Sequence, residues 1–458
     1  MSAAIVLARA GRSVLVLEAE QTIGGGTRSA PLTLPGFTHD VCSAVHPMAV
    51  ASPFLRTLPL REHGLEWIEP PVALAHPLDD GTAATLEHSL DQTSEALGAD
   101  ATAYRQLVGP IAANWDRLED GIMGPIRIPK HPFLMAAFGI HAIQPAISLA
   151  SRHFKTEPAR ALFAGLAAHS VMPLESWGTS AIALVLATAA HVKGWPIPKG
   201  GAQRIADALA SYLLSLGGEI VAGVRVRSLK DLPPSQAVLC DLSPRGLLEV
   251  AGESLPAGYR KALGKFQYGP GVFKIDWALR GPIPWRAPQC RQAGTVHLGG
   301  TMDEIARSER APWQGRIPQQ PFVLLAQSSL FDLSRAPAGC HTAWAYCHVP
   351  SGSKEDMTER IEAQVERFAP GFRELVLARS ARTPAMLEHE NANLVGGNVT
   401  GGANSLRQLL LRPTTGFYAT PVKGLFLCSA STPPGGGVHG MCGYHAAMLA
   451  LESLPPGV

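Results

Sequence analysis

Apolar residues recur along this chain with more than one period, and the changes of period divide it. From Ser2 to Ala10 helix formers and apolar residues run together, Gly11 supplies a stop, and Ser13 to Leu17 reads as a short strand ending at Glu18. Residues 89–192 keep helical spacing, with Asp100 placed as an N-cap. Within that stretch Phe133 to Ala150 is the longest apolar run; His141, Gln144 and Pro145 interrupt it, so it predicts a buried helix or an interfacial contact rather than a membrane span. "GWPIPKGGAQRIADALASYLLSLGGEIVAGVRV" then predicts a loop, an amphipathic helix ending at Gly217-Gly218, and strands of alternating valines. Between Ser254 and Leu387 the strand-like pieces "GPGVFKIDWAL", "GTVHLGG", "PFVLLAQSS" and "HTAWAYCHV" precede one helix, Met357 to Phe368, which predicts a mostly antiparallel sheet covering a pocket. A short strand, "GLFLCSA", a glycine turn and a closing helix, "YHAAMLAL", end the chain.

These elements predict an α/β protein. A Rossmann-like domain is assembled from residues 1–75, 191–250 and 396–458, with a helical cap over 76–190 and an α+β substrate domain over 251–395. A length of 458 residues suits two interleaved domains. The 39 basic and 37 acidic residues leave a net charge of +2, too little field to attract nucleic acid. The seven cysteines form no C-x-x-C pair and suggest neither zinc nor a disulfide framework, so a reducing cytoplasm is expected, and no secretory signal is evident. The histidines lack H-x-H or H-x-x-x-H spacing, and no metal site is expected.

The chemistry lies in the glycine segments. Glu18 stands at a strand end, where a dinucleotide-binding unit places the carboxylate that accepts from a ribose hydroxyl. Gly24-Gly25-Gly26 with Arg28 follow within a few residues and can admit an anion. Gly200-Gly201 precede a helix. "CSASTPPGGGVHGMCG" brings a strand through two prolines to three glycines just ahead of the last helix, whose N-terminus favours negative charge. No residue is singled out as catalytic. The G-x-G-x-x-G turn that should precede the first helix is absent, because Met1 stands where that turn would already be complete. A truncated start is the expectation, against a lineage that lost the turn or a coincidence of helix and strand.

"LARAGRSVLVLEAEQTIGGGTRS", "GWPIPKGGAQRIADAL", "NLVGGNVTGG" and "GLFLCSASTPPGGGVHGMCGYHAA", taken in order, resemble the phytoene (carotenoid) desaturase-like branch of FAD-dependent oxidoreductases, within the wider amine-oxidase fold. The resemblance runs from Ala3 to about Leu451. It implies FAD, with Glu18 at the adenosine ribose and Gly25, Gly26 and Arg28 along the pyrophosphate. It implies the Val226 backbone at adenine, and Gly436, Gly437, Val438 and Met441 near the isoalloxazine, with His46 and His439 as the histidines at the flavin pocket. It further implies hydride transfer from an apolar small molecule to flavin N5, with peripheral membrane contact. Two other readings stand beside it: an amine oxidase-like enzyme acting on a small polar substrate, and a non-catalytic scaffold without flavin.

Overall fold

The long apolar strands of the middle of the chain gather into one sheet. In the computed structural model, which describes residues 1–455, its order is Val376–Arg382, Gly271–Leu279, His341–Val349, Val323–Ala326, Ala293–Leu298, Val72–Pro77 and Ala83–Leu86. Every neighbouring pair is antiparallel except Ala293–Leu298 with Val72–Pro77. The sheet therefore recruits Val72–Pro77 and Ala83–Leu86 from across the boundary expected at residue 75.

Side chains alternate across a strand, so the register sorts this sheet into two unlike faces. One carries Phe273, Ile275, Trp277, Ala345 and Cys347, which form an apolar core with Ile361 and Val365 of helix Thr358–Phe368. Each large side chain buried there stabilises the fold by about 1.5–3 kcal/mol. The other face carries Lys274, Asp276, Trp344, Tyr346, His348 and His297, all but Tyr346 at most 5% exposed. Helices Glu157–Ala168 and Met302–Trp313 lie over it, and Ala44 packs against Trp344.

Between Leu90 and Lys193 the chain is mostly helical, with Ala101–Ala113, Glu157–Ala168 and Thr179–Lys193 as the long helices. Asp100 stands at the start of Ala101–Ala113, but its side chain does not cap that helix. Its carboxylate accepts instead from the Lys155 and Thr156 amides and the Thr156 hydroxyl, at 2.6–2.8 Å, ahead of the helix beginning at Glu157. The apolar run Phe133 to Ala150 is two helices, Pro132–Ala142 and Ala146–His153, bent by 93°, and no single described helix is long and apolar enough to cross a membrane. Leu149 and Ala150 are buried, whereas Phe133 is 89% and Ile140 65% exposed. The first helix is thus apolar on both sides: Leu134, Met135 and Phe138 pack on the helical core while Phe133 and Ile140 face outward.

The α/β part begins as expected. Helix Ser2–Arg9 ends in a Schellman motif, with the Arg12 amide donating to Leu7 O, the Gly11 amide to Ala8 O, and Gly11 at φ 74°. Leu15–Leu17 pairs in parallel with Glu219–Val221, and Val238–Cys240 with Leu425–Leu427. These remain two separate two-stranded sheets. The valine alternation beyond Val221 makes no strand: Val226 lies in irregular backbone, because no partner strand extends alongside it.

Candidate functional site

The carboxyl ends of three parallel strands point to one place. Glu18 follows Leu17, Asp241 follows Cys240 and Cys428 follows Leu427. Burial raises the Asp241 carboxyl pKa; the N-terminal ammonium of Met1 opposes this and the charge of Glu18 adds to it, so strand ends and first helix start are neighbours. In α/β sheets ligands bind at such carboxyl ends. The Val224 amide donates to Glu18 O and so draws the segment before Val226 alongside Glu18.

The glycine segments converge beside these ends. Gly24, at φ 117°, lies against helix Gln203–Ser215, where a Cβ would stand 3.0 Å from Ala206 Cβ. Gly25 and Gly26 form a single tight turn with Thr27. Arg28 Nε donates to Gly25 O at 3.0 Å and Nη2 to Glu390 O at 3.4 Å, which joins this loop to the segment before Gly396. The stretch that follows Gly396 meets the C-terminal turn, since a Cβ on Gly436 would stand 3.1 Å from Thr400 O.

A buried ion network holds two of the loops together. Arg335, 1% exposed, donates through Nη1 and Nη2 to the two oxygens of Asp40 and through Nε to Asp332. Asp40 Oδ1 also accepts from Ser29 Oγ and from the Ala202 amide, at 2.8 and 2.7 Å, and Asp332 Oδ2 accepts from the Gly200 amide at 2.7 Å. Burial works to raise the Asp332 pKa, but the Ser334 hydroxyl, the Gly200 amide and Arg335 outweigh it and hold the carboxyl below its usual range. Gly201, at φ 114°, has no room for a Cβ between Ser29 and Arg335. The network thus ties the Gly24–Arg28 region to the start of helix Gln203–Ser215.

At the C-terminal turn Gly435 and Gly437 have φ of 115° and 145°, and Val438, a β-branched residue, has φ 55°. Such a strained residue costs about 1–3 kcal/mol and is found mostly at functional sites. Gly436 and Gly437 are exposed, Met441 is buried, and helix Met441–Ser453 packs on Ser2–Arg9 with Gly443 against Ala3. Of the two histidines only His439 stands at this turn, where Met48 approaches Gly437 and Ser52 Oγ donates to His439 O at 2.7 Å; His46 lies 3.1 Å from Ser43 Oγ, near Asp40 and Arg335. Met441 N–H donates to His439 Nδ1.

Facing the loops is the polar side of the large sheet, which the sequence reading missed. Lys274, Tyr346, Leu324 and His297 stand in one cross-strand row. Lys274 Nζ pairs with Asp276 and lies 5.5 Å over the Trp344 ring. Cys42, beside Gly26, lies within the fields of Lys274, Arg28 and Asp276, although burial, the larger influence, raises its thiol pKa. His169 and His297 share a 3.1 Å contact, and His348 Nδ1 lies 2.6 Å from Glu309 Oε2. Asp276 Oδ1, Trp344 Nε1, His297 Nδ1, His348 Nε2 and Glu309 Oε1 are buried and have no hydrogen-bond partner among the described residues. The available signal was a lysine and an aspartate two residues apart inside the otherwise apolar "GVFKIDWAL".

Burial lowers the pKa of His46, His76, His191 and His439 to about 4 and of His39 and His169 to about 3, from 6.5. Each binds its proton in the unfolded chain before the folded one, so its stabilisation is complete above pH 6.5 and is lost as pH falls towards the folded value. Each contributes a slope of up to about 1.4 kcal/mol per pH unit. Tm is therefore expected to fall steeply from pH 6.5 to 4; a flat Tm over that interval would show these imidazoles to be solvated.

Interleaved parallel strands, glycine turns at their carboxyl ends and a second sheet facing them define an FAD-binding oxidoreductase fold. The chain belongs to the flavin containing amine oxidoreductase family, which matches residues 1–246. It is 27% identical to the mouse pyridine nucleotide-disulfide oxidoreductase domain-containing protein 2, over 99% of this chain and 91% of that protein. Among solved structures it resembles an oxidoreductase from Methanosarcina mazei, with TM-score 0.67, 16% identity, and 98% and 97% of the two chains covered. It also resembles a putrescine oxidase variant redesigned in cofactor binding, with TM-score 0.63, 15% identity, and 98% and 95% covered.

Proposed function

We propose that this protein is an FAD-dependent oxidoreductase that removes a hydride equivalent from a C–H bond of a small organic molecule bearing a polar or ionisable group. The observation that carries the reading is the set of buried polar atoms on the sheet face that have no partner among the described residues, Asp276 Oδ1, Trp344 Nε1, His348 Nε2 and Glu309 Oε1. A buried polar atom left unpaired costs about 1–3 kcal/mol, and a polyene chain offers none of them a partner. This favours a polar substrate over the apolar one that the carotenoid desaturase resemblance implies.

The residues fit FAD. The strained, glycine-rich turn before helix Met441–Ser453 leaves room beside Gly436 and Gly437, and three strand ends converge at the start of Ser2–Arg9. In this reading Glu18 accepts from the adenosine ribose, and Gly25 and Gly26 admit the pyrophosphate. Arg28 Nη1, unlike Nε and Nη2, has no carbonyl to serve and is left for a phosphate. The backbone around Val226 meets adenine, and Gly436, Gly437, Val438 and Met441 border the isoalloxazine. When bound, FAD supplies the acceptor for two electrons and a proton's equivalent of hydrogen.

The side chains of the sheet face then position the substrate. Lys274 has three donors and spends one on Asp276, leaving two for a substrate oxygen or nitrogen. His348 Nδ1 is engaged by Glu309 Oε2 at 2.6 Å, which leaves its Nε2 to meet a polar group of the substrate. The covering helices exclude water, which strengthens each of these contacts. Anaerobic mixing with a panel of amines, amino acids and hydroxy acids beside polyenes tests the reading. Bleaching of the flavin band by a polar member is expected, and bleaching by polyenes alone would overturn it.

A further inference from the structure

Arg412 is a buried cation without a counter-ion. It is 1% exposed, and among the described residues no carboxylate stands within 4 Å of its guanidinium. The other fully buried bases are compensated: Lys274 by Asp276, and Arg335 by Asp40 and Asp332. Arg412 has only neutral acceptors, with Nη1 donating to Asn404 Oδ1 at 3.1 Å and Nη2 to Thr400 O and Ala430 O at 3.2 and 3.0 Å, and Nε has no partner. Burial lowers its pKa to about 10, so it stays charged at neutral pH. Its neighbours supply no negative charge: burial pushes the Cys442 thiol up to about 11 and holds His439 neutral, down to about 4. A buried charge is costly unless an anion accompanies it.

Its position says where that anion belongs. Arg412 Nη1 lies beneath the first glycine of the C-terminal turn, 3.1 Å from where a Gly435 Cβ would stand. Nη2 holds Thr400 O, the same carbonyl that lies under Gly436. The N-terminus of the 13-residue helix Met441–Ser453, with its partial positive charge, follows directly. Guanidinium and helix end therefore favour negative charge in the same space.

We propose that Arg412 is the fixed counter-charge of the bound flavin, stabilising the negative charge that the reduced cofactor carries on its N1–C2=O edge and so setting its reduction potential. This rests on the reading that Gly436 to Met441 border the isoalloxazine. Arg412 need not touch substrate; it acts through the field at the turn, and a tether that merely joins Thr400 to Ala430 would leave the flavin's electronic properties unchanged.

Sulfite is the probe, because its addition at N5 of oxidised flavin places negative charge on the same edge. The FAD-loaded wild type is expected to bind sulfite at least about tenfold more tightly than free FAD does, as one charge-assisted contact allows. Arg412→Gln, which keeps hydrogen bonds and loses charge, should forfeit about that factor, and its midpoint potential should fall by about 30 mV, the two-electron equivalent. Arg412→Lys, which keeps the charge, should stay near the wild type. Unchanged sulfite affinity and potential in the Gln variant, or equal losses in both variants, would overturn the proposal. Where neither variant folds the wild-type measurement decides, and affinity no better than that of free FAD overturns it. A protein that takes up no FAD defeats the cofactor placement as well, whereas a yellow protein with ordinary sulfite affinity defeats only the role of Arg412.

Discussion

An Arg335→Met variant is expected to lose about 3–5 kcal/mol of stability, because it strands two buried carboxylates. Asp40 and Asp332 are 2% and 3% exposed, and both depend on the one guanidinium. The consequence reaches beyond stability. Asp40 receives the Ser29 hydroxyl and the Ala202 amide, and Asp332 the Gly200 amide, so repulsion between them loosens the Gly24–Arg28 loop from the start of helix Gln203–Ser215. Chemical denaturation read beside FAD titration checks both effects: the midpoint should drop with little change in m, and the surviving folded protein should bind FAD more weakly. Restoring neutrality with Asp40→Asn and Asp332→Asn in the same chain should recover part of the stability. A single variant with wild-type stability would mean that water already reaches the network.

The second large effect is expected at Lys274. Lys274→Met should lower kcat/KM by about 10²–10³-fold with FAD still bound, a loss typical of removing one positioned donor from a water-excluded site. It should also destabilise the fold, since Asp276 would keep only Arg382, at 3.8 Å, as a cation. The double variant Lys274→Met with Asp276→Leu separates the two effects. Replacing both partners of a buried pair by apolar groups is often neutral for stability, so the double variant should regain stability and remain inactive. Activity returning along with stability would reduce Lys274 to a structural half of an ion pair.

What the sequence made legible was local. Glu18, the three glycine turns and the last helix are read from residues a few positions apart, and the Gly11 stop is a single backbone requirement. The polar sheet face was not legible, because it depends on register: Lys274, Tyr346 and His297 stand in one row only once four strands from separate parts of the chain pair. The Arg335–Asp40 pair spans 295 positions, and neither residue sits in a motif. Asp100 misled for the same reason, since capping preference is a local rule and its carboxylate was captured by amides 55 and 56 residues away. Val226 shows the converse: its segment has the alternation of a strand, but pairing stops at Val221.

The visible absorption spectrum of the purified protein, as isolated and after incubation with FAD and desalting, tests the central claim most directly. The account predicts flavin bands that remain with the protein, are resolved differently from those of free FAD, and bleach without oxygen when the polar substrate is added. A folded protein that stays colourless after incubation would contradict it, and would leave the strand ends, the glycine turns and the uncompensated Arg412 without the ligand that explains them.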